Sequence, residues 1–234
     1  MISIIIPVFN ESETIITVLQ HISENASENN ISEIIVVDGG STDDTQEKVI
    51  RFTENSDKNI QLLTSKKGRA VQMNTGAGVA SGEVLYFLHV DSFPPKNFDK
   101  QIISEINKGN KAGCFRMKFD NDHPLLKFSQ WFTRLNFTFC RGGDQSLFIS
   151  KSIFETLGGF NESYIIYEDC EFINRIYDRF TFTIIPDYVI TSSRKYEIIG
   201  AWKLQYHFAV IHLKNKFGAT PENLYQYYRR NIAR

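Results

Sequence analysis

Four short, largely apolar runs at 2–8, 34–37, 60–63 and 84–88 are separated by segments whose apolar residues recur at helical intervals. Runs of this length with no polar alternation suit strands covered on both faces, and parallel strands need helical crossovers between them. The alternation predicts an α/β fold with a mostly parallel central sheet flanked by helices. Asn10, Glu11 and Ser12 open a first helix with Ile15, Leu19 and Ile22 on one face. Asp38-Gly39-Gly40-Ser41 is a turn after the second run. Ser41-Thr42-Asp43-Asp44 reads as a capping box for a helix that points Val49 and Phe52 inward. Ala70, Met73, Ala77 and Ala80 give the next helix a small-residue face able to approach the sheet closely. Ligands of open α/β sheets gather outside the carboxyl ends of the strands. Asn10-Glu11, Asp38-Gly39 and His89-Val90-Asp91 all stand at such ends, so one site is expected to collect all three.

Beyond a helix at 97–108, with Phe98, Ile102 and Ile106 inward, the pattern is mixed. A strand is expected over 112–119, an aromatic-rich helix over 125–139 and a short strand over 147–150. A helix over 169–179 follows, then short strands at 182–185 and 189–193 flanking Pro186-Asp187, and helices at 201–216 and 221–230. No repeat, low-complexity tract or linker divides the pattern. A single domain over 1–234 is expected, with a nucleotide-binding half (1–110), an acceptor and catalytic half (111–195) and a helical C-terminal extension (196–234).

Composition narrows the setting. Hydrophobic residues at 42% and charged residues at 23% allow a large core and argue against disorder. Cys114, Cys140 and Cys170 form no C-x-x-C pair and are odd in number, which points to a reducing, cytoplasmic compartment. The opening MISIIIPVFNES reads as a strand, not a signal peptide, and no run approaches the ~18 apolar residues of a membrane span. A formal net charge of −1 gives no reason to expect a nucleic-acid partner. Residues 195–234, however, hold seven Lys/Arg and two Asp/Glu, interleaved with aromatics. Such a stretch suits either weak peripheral contact with anionic lipid or a helical cap whose aromatics pack under the sheet.

The segments IIIPVFNES (4–12), EIIVVDGGSTDDT (33–45), GRAVQMNTGAGVASGEVLYFLHVDS (68–92), GGF (158–160) and YEDCEFINRI (167–176) stand in an order and spacing that resembles the family-2 glycosyltransferases. Their fold is the GT-A type. FLHVDS (87–92), GDQ (143–145) and SSRKYE (192–197) resemble more narrowly a bacterial subgroup associated with radical-SAM/selenodomain proteins and described as arsenosugar-biosynthesis glycosyltransferases.

The resemblance implies a nucleotide-sugar donor, an acceptor hydroxyl and inversion at the anomeric carbon. It puts base and ribose near Pro7, Asn10, Glu11 and Asp38, with Arg69 nearby; general turn and helix-cap roles are the alternative for Asp38 and Glu11. The family's Asp-x-Asp reads His89-Val90-Asp91 here, so Asp91 matches the direct ligand of Mg²⁺ or Mn²⁺. His89 reads as a ligand, as a hydrogen-bond donor to the donor sugar or phosphate, or as a strand-end residue. Glu168-Asp169 matches the acidic pair at a helix start, with Asp169 the base that takes the acceptor proton. Asp144-Gln145 matches residues facing the acceptor or donor sugar, and Arg194-Lys195 reads as a clamp on the diphosphate or as a solvated pair. UDP is the first base to expect. Gly39, where an aspartate is common, leaves GDP open. The acceptor, lipid-linked or a small molecule, is not named by any residue.

A dinucleotide enzyme is excluded by the missing G-x-G-x-x-G after the first strand, and no G-x-x-x-x-G-K-[ST] is present. A sugar nucleotidyltransferase fits the GGF and acidic-pair segments poorly. A non-catalytic sugar-nucleotide or glycan-binding protein is kept open by His89 and opposed by Asp91 and Asp169.

Overall fold

Strand β1 (Ile2–Val8) is buried along its whole length, and its side chains divide between two cores. The computed structural model describes residues 1–27 and 29–233; Glu28 and Arg234, the latter part of the basic C-terminal stretch, lie outside the described residues. The chain continues through α1 (Ile15–Asn25), β2 (Ile31–Asp38), α2 (Thr45–Glu54), β3 (Ile60–Thr64), α3 (Arg69–Val79), β4 (Val84–Phe87), β5 (Ser92–Phe93) and α4 (Phe98–Asn107). Then come β6 (Ala112–Phe119), α5 (Pro124–Trp131), β7 (Leu147–Ser150), α6 (Lys151–Thr156), α7 (Glu168–Arg179), β8 (Phe182–Thr191), α8 (Arg194–Ile199), α9 (Ala201–Lys216) and α10 (Pro221–Asn231).

Alternation along the strands decides which helices cover which face. Ile4, Ile6 and Val8 join Ile34 and Val36 in a core with Val18, Leu19 and Ile22 of α1, Val49 of α2 and Phe98 and Ile102 of α4. Ile5, Ile35 and Val37 face the other way, onto Ala70, Met73 and Ala77 of α3, Phe154 of α6 and Phe172 and Ile176 of α7. The strand order is β3-β2-β1-β4-β7-β6-β8-β5. β1, β2, β3 and β4 run parallel, as does β8 beside β6, whereas β7 runs against both its neighbours and β5 against β8. This is the GT-A type α/β arrangement. Val8 stands opposite Asp38 and Ile5 opposite Phe87, so the ends of β1, β2 and β4 open on one edge.

Several local expectations are corrected. The aromatic helix expected over 125–139 stops at Trp131, followed by single turns at Phe132–Arg134 and Thr138–Cys140. Tertiary bonds override helical propensity here. The buried Arg141 guanidinium takes the carbonyls of Thr133 and Leu135, and Asn136 Nδ2 donates to Phe182 O at 2.9 Å. The two strands expected around Pro186-Asp187 are one strand. Phe115 pairs with Ile185 and Arg116 with Tyr188, so Pro186 and Asp187 form a bulge, where a missing N–H costs no ladder bond. The capping box is absent: α2 starts at Thr45 after an Asp44 whose side chain caps nothing. Ser41 Oγ instead accepts from Asn10 N at 2.8 Å, and Asp43 accepts from Ser12 N and Thr45 N, both at 3.1 Å. Those side chains tie the turn after β1 to the turn after β2.

The C-terminal helices do not pack under the sheet. Leu204, Ile211, Leu224 and Ile232 form a separate small core with Ile166, next to Tyr167 and Tyr196. Phe208, Tyr227 and Tyr228 join it, while Trp202 and Phe217 are 73% and 83% exposed. Among the described residues no helix is long and apolar enough to cross a membrane.

Two glycines of α3 separate packing from propensity. A Cβ at Gly76 would stand 2.7 Å from Ile5 Cγ2 and 3.1 Å from Val37 Cγ2, whereas one at Gly78 would meet nothing within 4 Å. Alanine gains about 0.5–1 kcal/mol over glycine in a helix, and overpacking costs about 1–3 kcal/mol. Gly78→Ala should raise the urea midpoint, and Gly76→Ala should lower it, at unchanged m, by a loss of about 1 kcal/mol of unfolding free energy. Equal shifts in the two variants would show that α3 does not depend on this contact.

Candidate active site

The turn after β1 holds Asn10 at φ 54°, a left-handed conformation an asparagine tolerates. Its Oδ1 accepts from Thr42 N at 2.8 Å. Asp38 is buried, and its carboxylate accepts from Gly40 N at 3.0 Å, Ser41 N at 2.9 Å and Gln46 Nε2 at 2.6 Å. Both side chains are therefore spent on building the edge of the site. Beside that edge lies a cavity of about 450 Å³. Pro7, Glu11, Arg69, His89, Asp91, Asp144 and Arg194 of the expected set line it. Asn10, Asp38 and Gln145 do not: Gln145 is buried below, donating to Cys140 O at 2.6 Å and receiving the Arg141 guanidinium.

A second, central cavity of about 200 Å³ shares Arg69, His89, Asp91 and Asp144 with the first and adds Glu168 and Asp169. The first turn of α7 thus meets the end of β4. His89 is held between two acids, with Nδ1 3.5 Å from Asp144 Oδ1 and Nε2 3.4 Å from Asp169 Oδ2. Burial alone would strip its proton, but the hydrogen bonds to Asp144 and Asp169 outweigh burial and hold its pKa at about 10. Glu168 is buried, and its Oε1 lies 2.8 Å from Arg69 Nε. Burial raises its carboxyl and Arg69 opposes the rise. The pair links the start of α7 to the start of α3. Asp169 keeps its side chain 13% exposed toward the central cavity. Glu168 therefore reads as the anchor for Arg69, and Asp169 as the carboxylate free to meet a ligand. Asp91 is mostly enclosed; burial raises its carboxyl, His89 lowers it and Asp144 raises it further.

Several lining residues were not singled out from sequence. Gln72 donates to Val8 O at 2.7 Å and Val37 O at 2.8 Å, bracing the strand ends. A lone polar residue on the small-residue face of α3 was the available signal. Tyr228 of α10 and Ile232 just past its end come from far beyond α7 in the chain, with no motif to mark them. Lys195 Nζ donates to Tyr228 Oη at 3.0 Å, and Tyr167 Oη lies 3.0 Å from His212 Nδ1, so the C-terminal helices form a wall of the site. Arg194 and Lys195 stand in the first turn of α8 rather than in a loop, with Arg194 Nη2 3.9 Å from Glu11 Oε2.

A mostly parallel sheet with acidic residues at the end of its fourth strand and at the start of a facing helix defines a nucleotide-sugar transferase type of fold. Residues 3–179 match the family described as Glycosyl transferase family 2, and the chain belongs to that family. Among curated relatives, the Glycosyltransferase AglE of Haloferax volcanii is 33% identical over 108 residues, covering 45% of this chain and 35% of its own. The Escherichia coli UDP-Glc:alpha-D-GlcNAc-diphosphoundecaprenol beta-1,3-glucosyltransferase WfgD is 35% identical over 112 residues, covering 47% and 42%. The chain thus spans less than half the length of these relatives. Among solved structures, the mannosyltransferase PcManGT of Pyrobaculum calidifontis, in complex with GDP-Man and Mn²⁺, superposes with a TM-score of 0.72 at 20% identity, covering 97% of this chain and 69% of that one. S. aureus TarS in complex with UDP-GlcNAc superposes at 0.68 and 19%, covering 82% and 58%. At these identities the two structures establish the fold.

The His89 bridge can be read by NMR. A histidine whose pKa rises from 6.5 to about 10 stays protonated through neutrality. Its contribution to stability is complete below pH 6.5 and is lost as pH climbs through about 10. A Cβ at Gly143 would overlap Asp169 Oδ2 and come within 2.6 Å of His89 Cε1. The His89 ring signals should not titrate between about pH 6 and pH 8, and Gly143→Ala should bring a midpoint down toward that window. A wild-type midpoint near the ordinary histidine value would show that the two acids do not hold the proton.

Proposed function

We propose that this chain transfers a glycosyl group from a nucleotide-diphosphate-sugar to an acceptor hydroxyl, with inversion and with Asp169 as the base. The observation that carries the reading is the position of Asp169. Its partly open carboxylate faces a cavity continuous, through His89, Asp91 and Asp144, with the larger cavity at the strand ends. That larger cavity has the basic groups a diphosphate needs: Arg69 on one side, Arg194 and Lys195 on the other. Pro7 and Glu11 line its inner end, beside the turn that Asn10 and Asp38 build, which suits base and ribose. Family membership and two fold neighbours that hold UDP-GlcNAc and GDP-Man support a nucleotide-sugar, with a UDP-sugar the first donor to test. The matches at FLHVDS, GDQ and SSRKYE support the radical-SAM-associated subgroup and leave the acceptor unnamed.

In the inverting reaction the acceptor oxygen attacks the anomeric carbon as its proton passes to Asp169 and the nucleoside diphosphate departs. His89 orients Asp169 through Nε2 and Asp144 through Nδ1, and the Glu168 contact points Arg69 at the leaving group. Among the described residues no three His, Cys, Asp or Glu side chains gather as a metal cage. Asp91 alone fits Mg²⁺ or Mn²⁺, hard ions that take most of their ligands from phosphate and water. When bound, the cation would neutralise charge on the diphosphate.

The reducing-compartment reading of the cysteines supports a cytoplasmic enzyme. Ile198, Trp202, Tyr206, Leu213 and Phe217 are exposed near Lys203, Lys214 and Lys216, which supports weak contact with the inner face of an anionic membrane. Each basic residue at such a surface is worth about 1 kcal/mol. Co-sedimentation with anionic liposomes at low salt is expected, and equal retention by neutral ones would remove the electrostatic part of this reading.

Asp169→Asn should lower nucleoside-diphosphate release with donor and acceptor by about 10²–10⁴-fold while donor affinity, measured by calorimetry, stays near the parent's. Asp91→Ala should weaken donor binding only when Mn²⁺ is present. Turnover by Asp169→Asn at the parent's rate would falsify the base assignment, and saturable donor binding with no release in the parent would favour a binding protein.

A further inference from the structure

The path away from Asp169 changes character at Asp144. Its carboxylate, 55% exposed, faces His89 on one side and on the other lines a third cavity of about 400 Å³. Tyr196 is likewise shared between this cavity and the central one. The two cavities at the strand ends are lined by Arg69, His89, Asp91 and Asp144. The third is lined by Met117 and Phe119 of β6, Phe128 of α5, and Phe132 and Phe139 beyond it.

The aromatic wall is a built feature. Arg141, buried at the cavity floor, grips the carbonyls of Thr133 and Leu135 and the amide of Gln145, which fixes the segment between α5 and β7. Within that segment Phe132 stacks edge-on against Phe128 at 5.0 Å, and Phe139 lies parallel to Phe137 at 5.7 Å. Yet Phe128 and Phe139 remain 63% and 67% exposed. Trp131 and Phe137 stand exposed nearby on the same segment, a concentration of aromatic surface of the kind that marks a binding groove. Among the described residues Arg141 Nε is buried without a hydrogen-bond partner, so the floor holds an unused donor under a largely apolar sleeve whose polar lining includes Ser129, Thr133, Gln145 and Gln205.

We propose that this sleeve binds the apolar body of the acceptor, whose hydroxyl end passes Asp144 and Tyr196 to reach Asp169. The acceptor is then an amphiphile, an alcohol or sugar carried on an apolar group. The inference rests on the transferase reading for the role of the hydroxyl; the apolar site itself is tested by binding alone. A strictly polar acceptor would leave the sleeve unused, whereas an amphiphile matches the change from charged to apolar lining along the path.

Binding is measured by calorimetry without donor, using methyl, hexyl, phenyl and farnesyl glucosides below their micelle-forming concentrations. The apolar glucosides should bind at least about ten-fold more tightly than the methyl glucoside. The double variant Phe128→Ser, Phe139→Ser, at two exposed positions whose change leaves the core intact, should erase most of that preference. A preference for phenyl identifies an aromatic aglycone and a preference for farnesyl a lipid carrier; either supports the site. Equal binding of all four glucosides overturns it. So does a concentration-dependent dimer that shields Phe128 and Phe139, because a second copy would then be the occupant. With donor added, the same compounds report transfer. A protein that binds the apolar glucosides but releases no nucleoside diphosphate refutes the transferase reading and leaves the apolar site standing.

Discussion

His89 stands between the carboxylates of Asp144 and Asp169, and the geometry of the whole site hangs on that contact. Four acids, Asp91, Asp144, Glu168 and Asp169, converge where β4, α7 and the loop before β7 meet. Like charges brought this close repel one another, and the buried Glu168 carries a desolvation penalty as well. One protonated imidazole answers two of them, and Arg69 answers Glu168 across to α3. Gly143 leaves just enough room for this approach, since any Cβ there would strike Asp169. The central position of β4, between parallel β1 and antiparallel β7, places the imidazole at the junction.

The helices after the sheet complete the enclosure. Tyr167, held at φ 71° just before α7, reaches His212 of α9, and Lys195 reaches Tyr228 of α10. Their small core is joined to the nearer core of the sheet by Tyr196, which packs against both. Arg194 and Lys195 stand at the base of this wall, in the first turn of α8.

Much of the fold was legible because local pattern and tertiary demand agree. Ile4, Ile6 and Val8 alternate with Ile5, and both sets find apolar partners, so 2–8 could be nothing but a central strand. The helix at 201–216 and the strands at 112–119 and 147–150 carry the bounds expected of them. Misreadings fall where side chains bond across the fold. Arg141 unwinds the end of the aromatic helix, Asp38 and Ser41 draw a would-be cap into a turn, and β6 gives Pro186 a partner strand that turns an apparent break into a bulge. Hydrophobic periodicity records neither a side-chain bond to backbone nor a pairing with another strand.

The sequence by itself determined the alternation of strands and helices in the first half, the edge of the sheet that carries polar residues and which residues stand there, because these follow from periodicity and from chain direction in parallel sheets. Tertiary structure alone decided which of those residues face the cavity. Asn10, Asp38 and Gln145 are consumed by neighbouring groups, while Gln72 and Tyr228 are brought in from elements with no motif to announce them. It also decided the state of His89. A lone histidine at a strand end reads as a ligand, a donor or a filler; two carboxylates arriving from residues 144 and 169 make it a cation. Proximity of charges is a property of the folded chain, and its energy depends on distances that spacing along the sequence does not contain.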